Sequence, residues 1–474
     1  MAGPTGLSSR RQLYVVVGVL VLLLSSALLG GWHTYISEGP NVVLIVSDDQ
    51  SIDSLPHFPP VMPYLQSRML DPEDHWVSFT QAFDSNPLCC PARATLLTGQ
   101  FSHHTGVTRN EFGKELDDSS TVATWLHEVG YYTGFFGKYI NRYPFNLAPY
   151  VPPGWDEWAA KDHGGVGSAY FNYQLAEGHG QGSAQLVTYG DDESDYMPDV
   201  LARKVVDFIA DAPGGRPFFA VYAPTAPHSP WVPAPRNSGT FSDLEIQMRP
   251  NVNEANVSDK PKWVQDRRLL SAEELRQLQD QQRMEFDALL GVDDAVRAIY
   301  EALEQRGVAD DTVIIYLTDN GYSYGSHRWV AKRCVYSECN QTAMLIRSPD
   351  VSAREEDFLV SNVDVASTIA GFAGVEPDIP VDGVDLGPVL SQRIFPDRTG
   401  ILLEWPGDTN IPAYFGLRTD DYLYVELATA EVELYDLTGQ LGEADPYQLR
   451  NVADDERYAD VRRALAAQLT VLTD

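Results

Sequence analysis

Two pairs of oxygen-bearing side chains follow apolar runs of the sequence. The run VVLIV leads through Ser47 to Asp48 and Asp49, and the run TVIIYL leads through Thr318 to Asp319 and Asn320. Both runs have the length and β-branched composition of buried strands. Because open α/β sheets bind ligands beyond the carboxyl ends of their strands, we expect the two pairs to converge on one cation. Three carboxylates and one amide oxygen form a hard site, which Ca²⁺ tolerates in variable geometry and Mg²⁺ accepts less readily.

Two further apolar runs lead to basic side chains. The run YTGFF precedes Lys138, and the run FFAVY leads to His228 in the segment APHSP. Each feature has a common structural explanation when it is taken alone. A pair of aspartates after a strand is more often a turn or helix cap, a single lysine is usually a solvated charge, and a histidine beside prolines usually lies in a loop.

The segment LCCPARATLLTGQ contains a cysteine pair followed by Pro91 and Arg93. Proline is typical of the first turn of a helix and glycine of the position after its end, so a helix is predicted through about Thr98, before Gly99. The cysteines then lie at a helix amino terminus, where unpaired N–H groups favour negative charge. The sequence therefore predicts an anion-binding environment at this point.

This segment resembles the C-x-P-x-R signal of the formylglycine-dependent sulfatase family, in the alkaline phosphatase superfamily. Proline and arginine lie two and four positions after Cys89, so Cys89 rather than Cys90 is the functional position. The motifs SDDQ, GKYIN, APHSP, TDNGYSYGSHRW and ELYDL also resemble family members, in the family's order and over nearly the whole chain. The double cysteine and GKYIN are most similar to the branch that contains N-acetylglucosamine-6-sulfatases and heparan 6-O-endosulfatases.

The resemblance implies that Cys89 is oxidised to formylglycine by a formylglycine-generating enzyme. One hydroxyl of the hydrated aldehyde would attack sulfur, and the other would help to expel sulfate, a step that an ordinary serine ester lacks. By match to the family, one Ca²⁺ is held by Asp48, Asp49, Asp319, Asn320 and the modified Cys89. The reaction that the resemblance implies is hydrolysis of a sulfate ester, with a substrate of the N-acetylglucosamine-6-sulfate type.

The resemblance also assigns roles to the basic side chains. Arg93 would hold the hydrated aldehyde, and Lys138 and Lys332 would bind the sulfuryl oxygens. His228 would contact the sulfate and protonate the leaving oxygen, since imidazole titrates near neutral pH. These residues form the expected catalytic and substrate-binding set.

Two positions depart from the family pattern. Ile140 stands where many members have a histidine, so that acid–base role is vacant or filled elsewhere. The candidates are His103, His104 and His327, each of which could equally be a supporting or substrate-binding residue. Ser323 replaces the histidine of the GYH sequence that relatives often show, which changes the expected substrate contacts.

The order of strand-like and helix-like segments predicts an α/β fold with a large mixed, mainly parallel sheet sandwiched by helices. A long helix is predicted from the capping signal at Ser271 through Arg306. The stretch between His228 and Ser271 is expected to be irregular, and to be either a pocket wall or a surface insertion. Residues 36–375 are predicted to form the catalytic domain, and residues 376–474 a smaller C-terminal subdomain of antiparallel sheet plus helix.

The amino end, residues 1–35, is typical of a signal peptide or signal anchor. Arg10 and Arg11 precede an apolar stretch of about seventeen residues, which is long for a cleaved segment and slightly short for a membrane span. We expect the protein to be exported, and either secreted or anchored to the cell membrane by this segment with its catalytic domain outside. In an exported chain, Cys334 and Cys339 would form a local disulfide, with two free buried thiols as the alternative.

The chain has a formal net charge of −33, from 34 Lys and Arg against 67 Asp and Glu. This charge argues against nucleic acid as a partner and mildly against rapid capture of a long sulfated polymer; the alternative is that it serves only solubility outside the cell. A sulfated small molecule or oligosaccharide is the expected substrate. The alternatives are a phosphonate or phosphate monoester hydrolase of the same superfamily, and a carbohydrate-binding protein without catalysis.

Overall fold

The computed structural model describes residue 1 and residues 39–56, 60–163 and 170–473. The predicted signal segment therefore lies, apart from residue 1, outside the described residues. Of the helices in the described ranges, none combines the length and apolar composition that a membrane crossing requires.

The strands of the described residues range from two to seven residues in length. In chain order they are β1 Asn41–Ser47, β2 Trp76–Phe79, β3 Ala82–Phe83, β4 Tyr132–Gly137, β5 Tyr150–Val151, β6 Glu157–Lys161, β7 Gln174–His179, β8 Gly182–Ser183, β9 Gln185–Thr188, β10 Phe218–Ala223, β11 Thr312–Thr318, β12 Ser323–Tyr324, β13 Val330–Ala331, β14 Met344–Arg347, β15 Arg354–Glu356, β16 Val360–Ser361, β17 Ile401–Trp405, β18 Tyr414–Arg418, β19 Tyr422–Leu427 and β20 Val432–Asp436.

The α-helices of the described residues range from single turns to one helix of 35 residues. They are Pro63–Leu70, Cys89–Thr98, Ser102–Thr105, Val122–Glu128, Met197–Asp211, Lys262–Gln265, Ala272–Arg306, Ser337–Asn340, Asp364–Ala373, Gly387–Gln392 and Ala459–Thr473.

The main sheet has the strand order β15-β2-β14-β11-β1-β10-β4-β6-β7-β9. Its centre, from β11 to β6, is entirely parallel, and antiparallel pairs lie toward both edges. Alternate residues of β1 point to opposite faces, so that Val42 and Leu44 belong to the buried cluster that contains Leu96, and Val43 and Ile45 to the one that contains Leu289. Because helices cover both faces, the central strands are buried runs rather than alternating ones. This architecture confirms the predicted fold class.

A second sheet of four antiparallel strands follows, in the order β17-β18-β19-β20. The helix Ala459–Thr473 packs on it through Leu465 and Leu469, which share a buried cluster with Leu417 and Leu434. The predicted C-terminal sheet plus helix is therefore present. The domain boundary at residue 375 stays a prediction.

The stretch between His228 and Ser271 is irregular, apart from a 3-10 turn and the single-turn helix Lys262–Gln265. Val252 forms a β-bridge with Ser326, and the side chain of Arg328 donates to the carbonyls of Glu254, Ala255 and Arg267. The stretch therefore lies against the hairpin of β12 and β13, which ends next to Lys332. This contact favours the interpretation of the stretch as a pocket wall rather than a surface insertion.

The predicted disulfide between Cys334 and Cys339 is present, in the segment that follows Lys332.

Candidate active site

The two oxygen-bearing pairs emerge side by side at the carboxyl edge of the main sheet. Strands β1 and β11 are parallel with Ser47 opposite Thr318, so the next residues of each strand are neighbours. The backbone N–H of Asp49 donates to Asp319 Oδ1 at 3.1 Å, and Asn320 Nδ2 donates to Asp49 Oδ1 at 2.8 Å. Asp49 has a φ of 61°, a left-handed conformation that aspartate tolerates better than most residues. The structure therefore brings the two pairs together.

Cys89 is the first residue of the helix Cys89–Thr98 and points at this cluster. Its Sγ lies 3.8 Å from Asp48 Oδ1 and 3.7 Å from Asp49 Oδ1, and the residue is 1% exposed. One ligand atom from each of Asp48, Asp49, Cys89 and His228 lies within 4.8 Å of the others. The amino-terminal location predicted for the cysteine is therefore confirmed.

Three cationic side chains face the three carboxylates of the cluster. Arg93 Nε contacts Asp319 Oδ2 at 2.8 Å and Lys138 Nζ contacts Asp48 Oδ2 at 2.5 Å. Lys332 Nζ lies 2.5 Å from Asp49 Oδ1 and 2.7 Å from Cys89 Sγ. The three positive charges therefore balance the three negative charges of the cluster.

Burial and these charges act on the pKa values in opposite directions. Burial raises the pKa of the Cys89 thiol to about 12, against the smaller lowering effect of the two lysines. Burial alone would raise the pKa of Asp48. The ammonium group of Lys138, together with His228 and Arg93, instead holds this pKa at about 2. The carboxylate is thus ionised while the thiol is protonated. A protonated thiol is a poor nucleophile, so an unmodified Cys89 is unsuited to attack at neutral pH.

His228 lies in the loop after β10 and is the most exposed of these side chains, at 33%. Its Nδ1 is 2.7 Å from the carbonyl oxygen of Ser229. Because a carbonyl can only accept, Nδ1 carries a proton and Nε2 faces Asp49 Oδ2 at 3.5 Å. His228 can therefore exchange a proton through Nε2 at the open side of the cluster.

The donor set suits a hard cation. Asn320 Oδ1 is buried and has no hydrogen-bond partner among the described residues, an unusual state for an amide oxygen. Coordination of a cation would satisfy it, together with the carboxylates of Asp48, Asp49 and Asp319. This orphaned oxygen supports the predicted calcium ligands independently of the motif.

The structure does not bring the three other histidines to the cluster. His103 and His104 follow the far end of the Cys89–Thr98 helix, about 15 Å along its axis from Cys89. They contact Glu404 and Asp382 instead. His327 is fully buried, with Nδ1 2.7 Å from Glu254 Oε2. The substrate-binding role suggested for these three has no support in their placement, and Ile140 is part of the apolar core.

Glu285 is a supporting residue that the sequence analysis missed. It is fully buried on the long helix Ala272–Arg306, where it accepts from the Ser51 N–H at 2.7 Å and from the Tyr324 hydroxyl at 2.9 Å. It thus joins the loop of Asp49 to the hairpin beside Lys332. Glu285 could have been found from the sequence, because it is an acidic residue on the apolar stripe of an amphipathic helix.

Replacement of Glu285 by Gln is expected to remove a pH dependence of stability. Burial raises the pKa of Glu285 to about 7 from 4.5, so between these values the folded protein binds the proton that the unfolded chain releases. The free energy of unfolding should therefore fall by up to about 3 kcal/mol as pH rises from 4.5 to 7. In E285Q this contribution should disappear, because the amide imitates the protonated acid.

Urea unfolding of wild type and E285Q at pH 5 and pH 8 measures the effect. The variant should gain stability relative to wild type at pH 8. Glu301→Gln, an exposed position on the same helix, is the matched control and should show no such gain. If the free energies of unfolding of E285Q and wild type differ by the same amount at both pH values, the expectation is contradicted.

Comparisons with known proteins match nearly the whole chain. A family model described as Sulfatase matches residues 40–375, and one described as N-sulphoglucosamine sulphohydrolase, C-terminal, matches residues 325–474. The N-acetylglucosamine-6-sulfatase of Capra hircus is 30% identical over 467 residues, covering 88% of this chain and 80% of that protein.

Two solved structures are similar in fold. A protein in complex with its substrate D-glucosamine-2-N,6-O-disulfate has a TM-score of 0.74 at 23% identity, covering 92% of this chain and 97% of that one. The phosphonate monoester hydrolase of Agrobacterium radiobacter has a TM-score of 0.72 at 22% identity, covering 92% and 95%.

Proposed function

The chain belongs to the sulfatase family of sulfuric ester hydrolases, and on this premise we propose that it releases sulfate from a sulfated carbohydrate with Cys89, oxidised to formylglycine, as the nucleophile. The observation that carries the proposal is the position of Cys89 Sγ, which lies between two carboxylates and 2.7 Å from Lys332 Nζ at a helix amino terminus. Lys332 could therefore donate a hydrogen bond to an oxygen nucleophile at this position.

The basic residues would bind and orient the sulfuryl group. Lys138 and Lys332 are held by Asp48 and Asp49, so their ammonium groups are fixed before a substrate arrives. Although burial alone would lower it, the carboxylate of Asp49 keeps the pKa of Lys332 well above its usual value. A charged, immobile pair of donors stabilises an anion without reorganisation during the reaction.

His228 would supply the proton for the leaving oxygen. Its Nε2 is the ring nitrogen that is not engaged by a carbonyl, and it lies 3.5 Å from Asp49 Oδ2. Arg93, anchored on Asp319 and on the carbonyl of Lys138, would orient the modified side chain one helical turn away.

Two groups would complete this site. Ca²⁺, held by Asp48, Asp49, Asp319, Asn320 and the modified residue 89, would supply positive charge that neutralises the ester and polarises the nucleophile. Formylglycine would supply a hydrated aldehyde in place of the protonated thiol. Because Cys89 is 1% exposed, a formylglycine-generating enzyme would have to act before this region folds.

The preferred substrate in this proposal is a sulfated sugar of the N-acetylglucosamine-6-sulfate type. The similarity to the Capra hircus enzyme supports this choice, and the net charge of −33 favours a small ester or an oligosaccharide end over a polymer interior. The proposal includes export of the protein, on the basis of the basic and apolar amino end.

A panel of esters tests the proposed reaction with protein made in its native host. N-acetylglucosamine-6-sulfate and 4-nitrophenyl sulfate should be hydrolysed with kcat/KM at least about a hundredfold above phenyl phosphate and a phosphonate monoester. Faster turnover of the phosphonate would favour the phosphonate hydrolase alternative. Binding of the sugar sulfate without turnover of any ester would favour the non-catalytic alternative.

A further inference from the structure

The residues of the active site differ sharply in exposure. Asp48, Asp49, Cys89, Arg93 and Lys138 are each less than 5% exposed. The side chains of Lys332 and His228 are 13% and 33% exposed. A bound sulfate ester must therefore place its sulfuryl group at the buried end and its alcohol portion on the side of His228.

Two aromatic residues lie on this open side. Trp231 follows His228 in a tight turn, in which the Trp231 N–H donates to the His228 carbonyl at 3.2 Å. Tyr322 is the second residue after Asn320, and the two ring centroids are 6.1 Å apart at 89°. Both residues are partly exposed. Because the rings meet edge to face, the ring that presents its edge keeps both faces clear of the other.

The backbone holds Trp231 in an unfavourable conformation. Its φ is 55°, in the left-handed region that bulky side chains rarely adopt. Such strain persists where the surrounding structure imposes it, often at ligand sites. Tyr322 is supported from behind by Tyr324, whose ring is 4.9 Å away and whose hydroxyl donates to Glu285. The aromatic pair is therefore positioned rather than loosely placed on the surface.

We propose that Trp231 and Tyr322 are specificity-determining residues, which bind the alcohol portion of the substrate by packing on the pyranose ring of the proposed sugar ester. The C–H face of a pyranose is apolar and flat, and packs on an aromatic face while its hydroxyls remain at the polar rim. An acyclic alkyl sulfate offers no such face. The inference rests on the proposed sulfatase function and names the two residues that would select a sugar ester over an alkyl ester.

The test compares N-acetylglucosamine-6-sulfate with propyl sulfate, which is also the sulfate of a primary alcohol. In Trp231→Ala, the ratio of kcat/KM for the sugar ester to that for the alkyl ester should fall about tenfold, through a higher KM for the sugar. Trp231→Phe should recover most of the ratio because it keeps a ring. Phe415→Ala, which removes an exposed aromatic of the C-terminal sheet, is the control and should leave the ratio unchanged.

Tyr322→Ala, with Tyr322→Phe as its conservative partner, provides a second variant if Trp231→Ala does not fold, as judged from its melting curve. Equal losses on both esters, or no loss on the sugar ester, would overturn the inference while leaving the sulfatase function intact. Failure of the wild-type enzyme on both esters would instead overturn the proposed function.

Discussion

Cys89→Ala is expected to lower kcat on a sulfate ester by at least about 10⁴-fold, with little change in substrate binding. The change removes the side chain that would become the nucleophile, while the two lysines and His228 remain in place to bind the ester. The variant should therefore still bind N-acetylglucosamine-6-sulfate when this is measured by calorimetry. Loss of kcat without loss of binding distinguishes a missing nucleophile from a collapsed site.

Cys90→Ala is the matched control for this variant. Cys90 lies on the same helix and is equally buried, but it packs in the apolar cluster that contains Ala94 and Ile140. Its truncation should cost about 1 kcal/mol of stability and change kcat less than about threefold. A Cys89→Ala enzyme that retains more than about 1% of wild-type kcat would show that the nucleophile is another residue.

The mass of the tryptic peptide that ends at Arg93 shows whether residue 89 is a thiol or formylglycine. The effect of Cys89→Ala on kcat does not show this. Conversion of the thiol to formylglycine lowers the mass by about 18 Da. The wild-type protein and Cys90→Ala should both show this loss, because the family motif requires Cys89, Pro91 and Arg93 but not Cys90. An unmodified thiol in active wild-type enzyme would contradict the proposed nucleophile.

Asp319→Asn is expected to weaken Ca²⁺ binding at least about a hundredfold and to lower kcat/KM about 10³-fold. Asp319 accepts from Arg93 Nε and from the Asp49 N–H, so its carboxylate fixes both the nucleophile helix and the neighbouring ligand. The amide keeps the shape but removes one negative charge from the donor set. Titration calorimetry with Ca²⁺ alone measures the first effect without dependence on activity.

Asp53→Asn is the matched control for the calcium experiment. Asp53 lies four residues after Asp49, is partly exposed, and contacts Arg249 rather than the cluster. The Ca²⁺ affinity and kcat/KM of the Asp53→Asn variant should stay within about threefold of wild type, because Asp53 is outside the proposed ligand set. If both variants bind Ca²⁺ as wild type does, Asp319 is not a ligand and the proposed cradle is wrong.

The central strands could be predicted from sequence because they are buried on both faces. The apolar runs that end before Asp48 and Asp319 match β1 and β11 closely, and those before Lys138 and His228 match β4 and β10. Strands at the edges lack this signal. β9, for example, is exposed along its whole length and pairs with β7 alone, so nothing in its composition requires a strand.

The cluster could be predicted because its parts follow strands whose carboxyl ends share one edge of the sheet. The histidines could not be placed in the same way. His103 lies close to Cys89 in sequence, but an intervening helix carries it away from the site. The proximity of Trp231 and Tyr322 could not be predicted, because it depends on two loops that meet only in the folded protein.

The position of β1 at the centre of the sheet has a consequence for synthesis of the chain. Asn41 contacts Thr312 across 271 residues of sequence, so one edge of β1 stays unpaired until that strand has been made. At about 5–20 residues per second, this interval is roughly 15–50 s. During it, the segment VVLIV has the composition of an aggregation-prone strand. The amount of folded protein obtained on expression should therefore depend on how well chaperones shield this segment, independently of the stability of the folded enzyme.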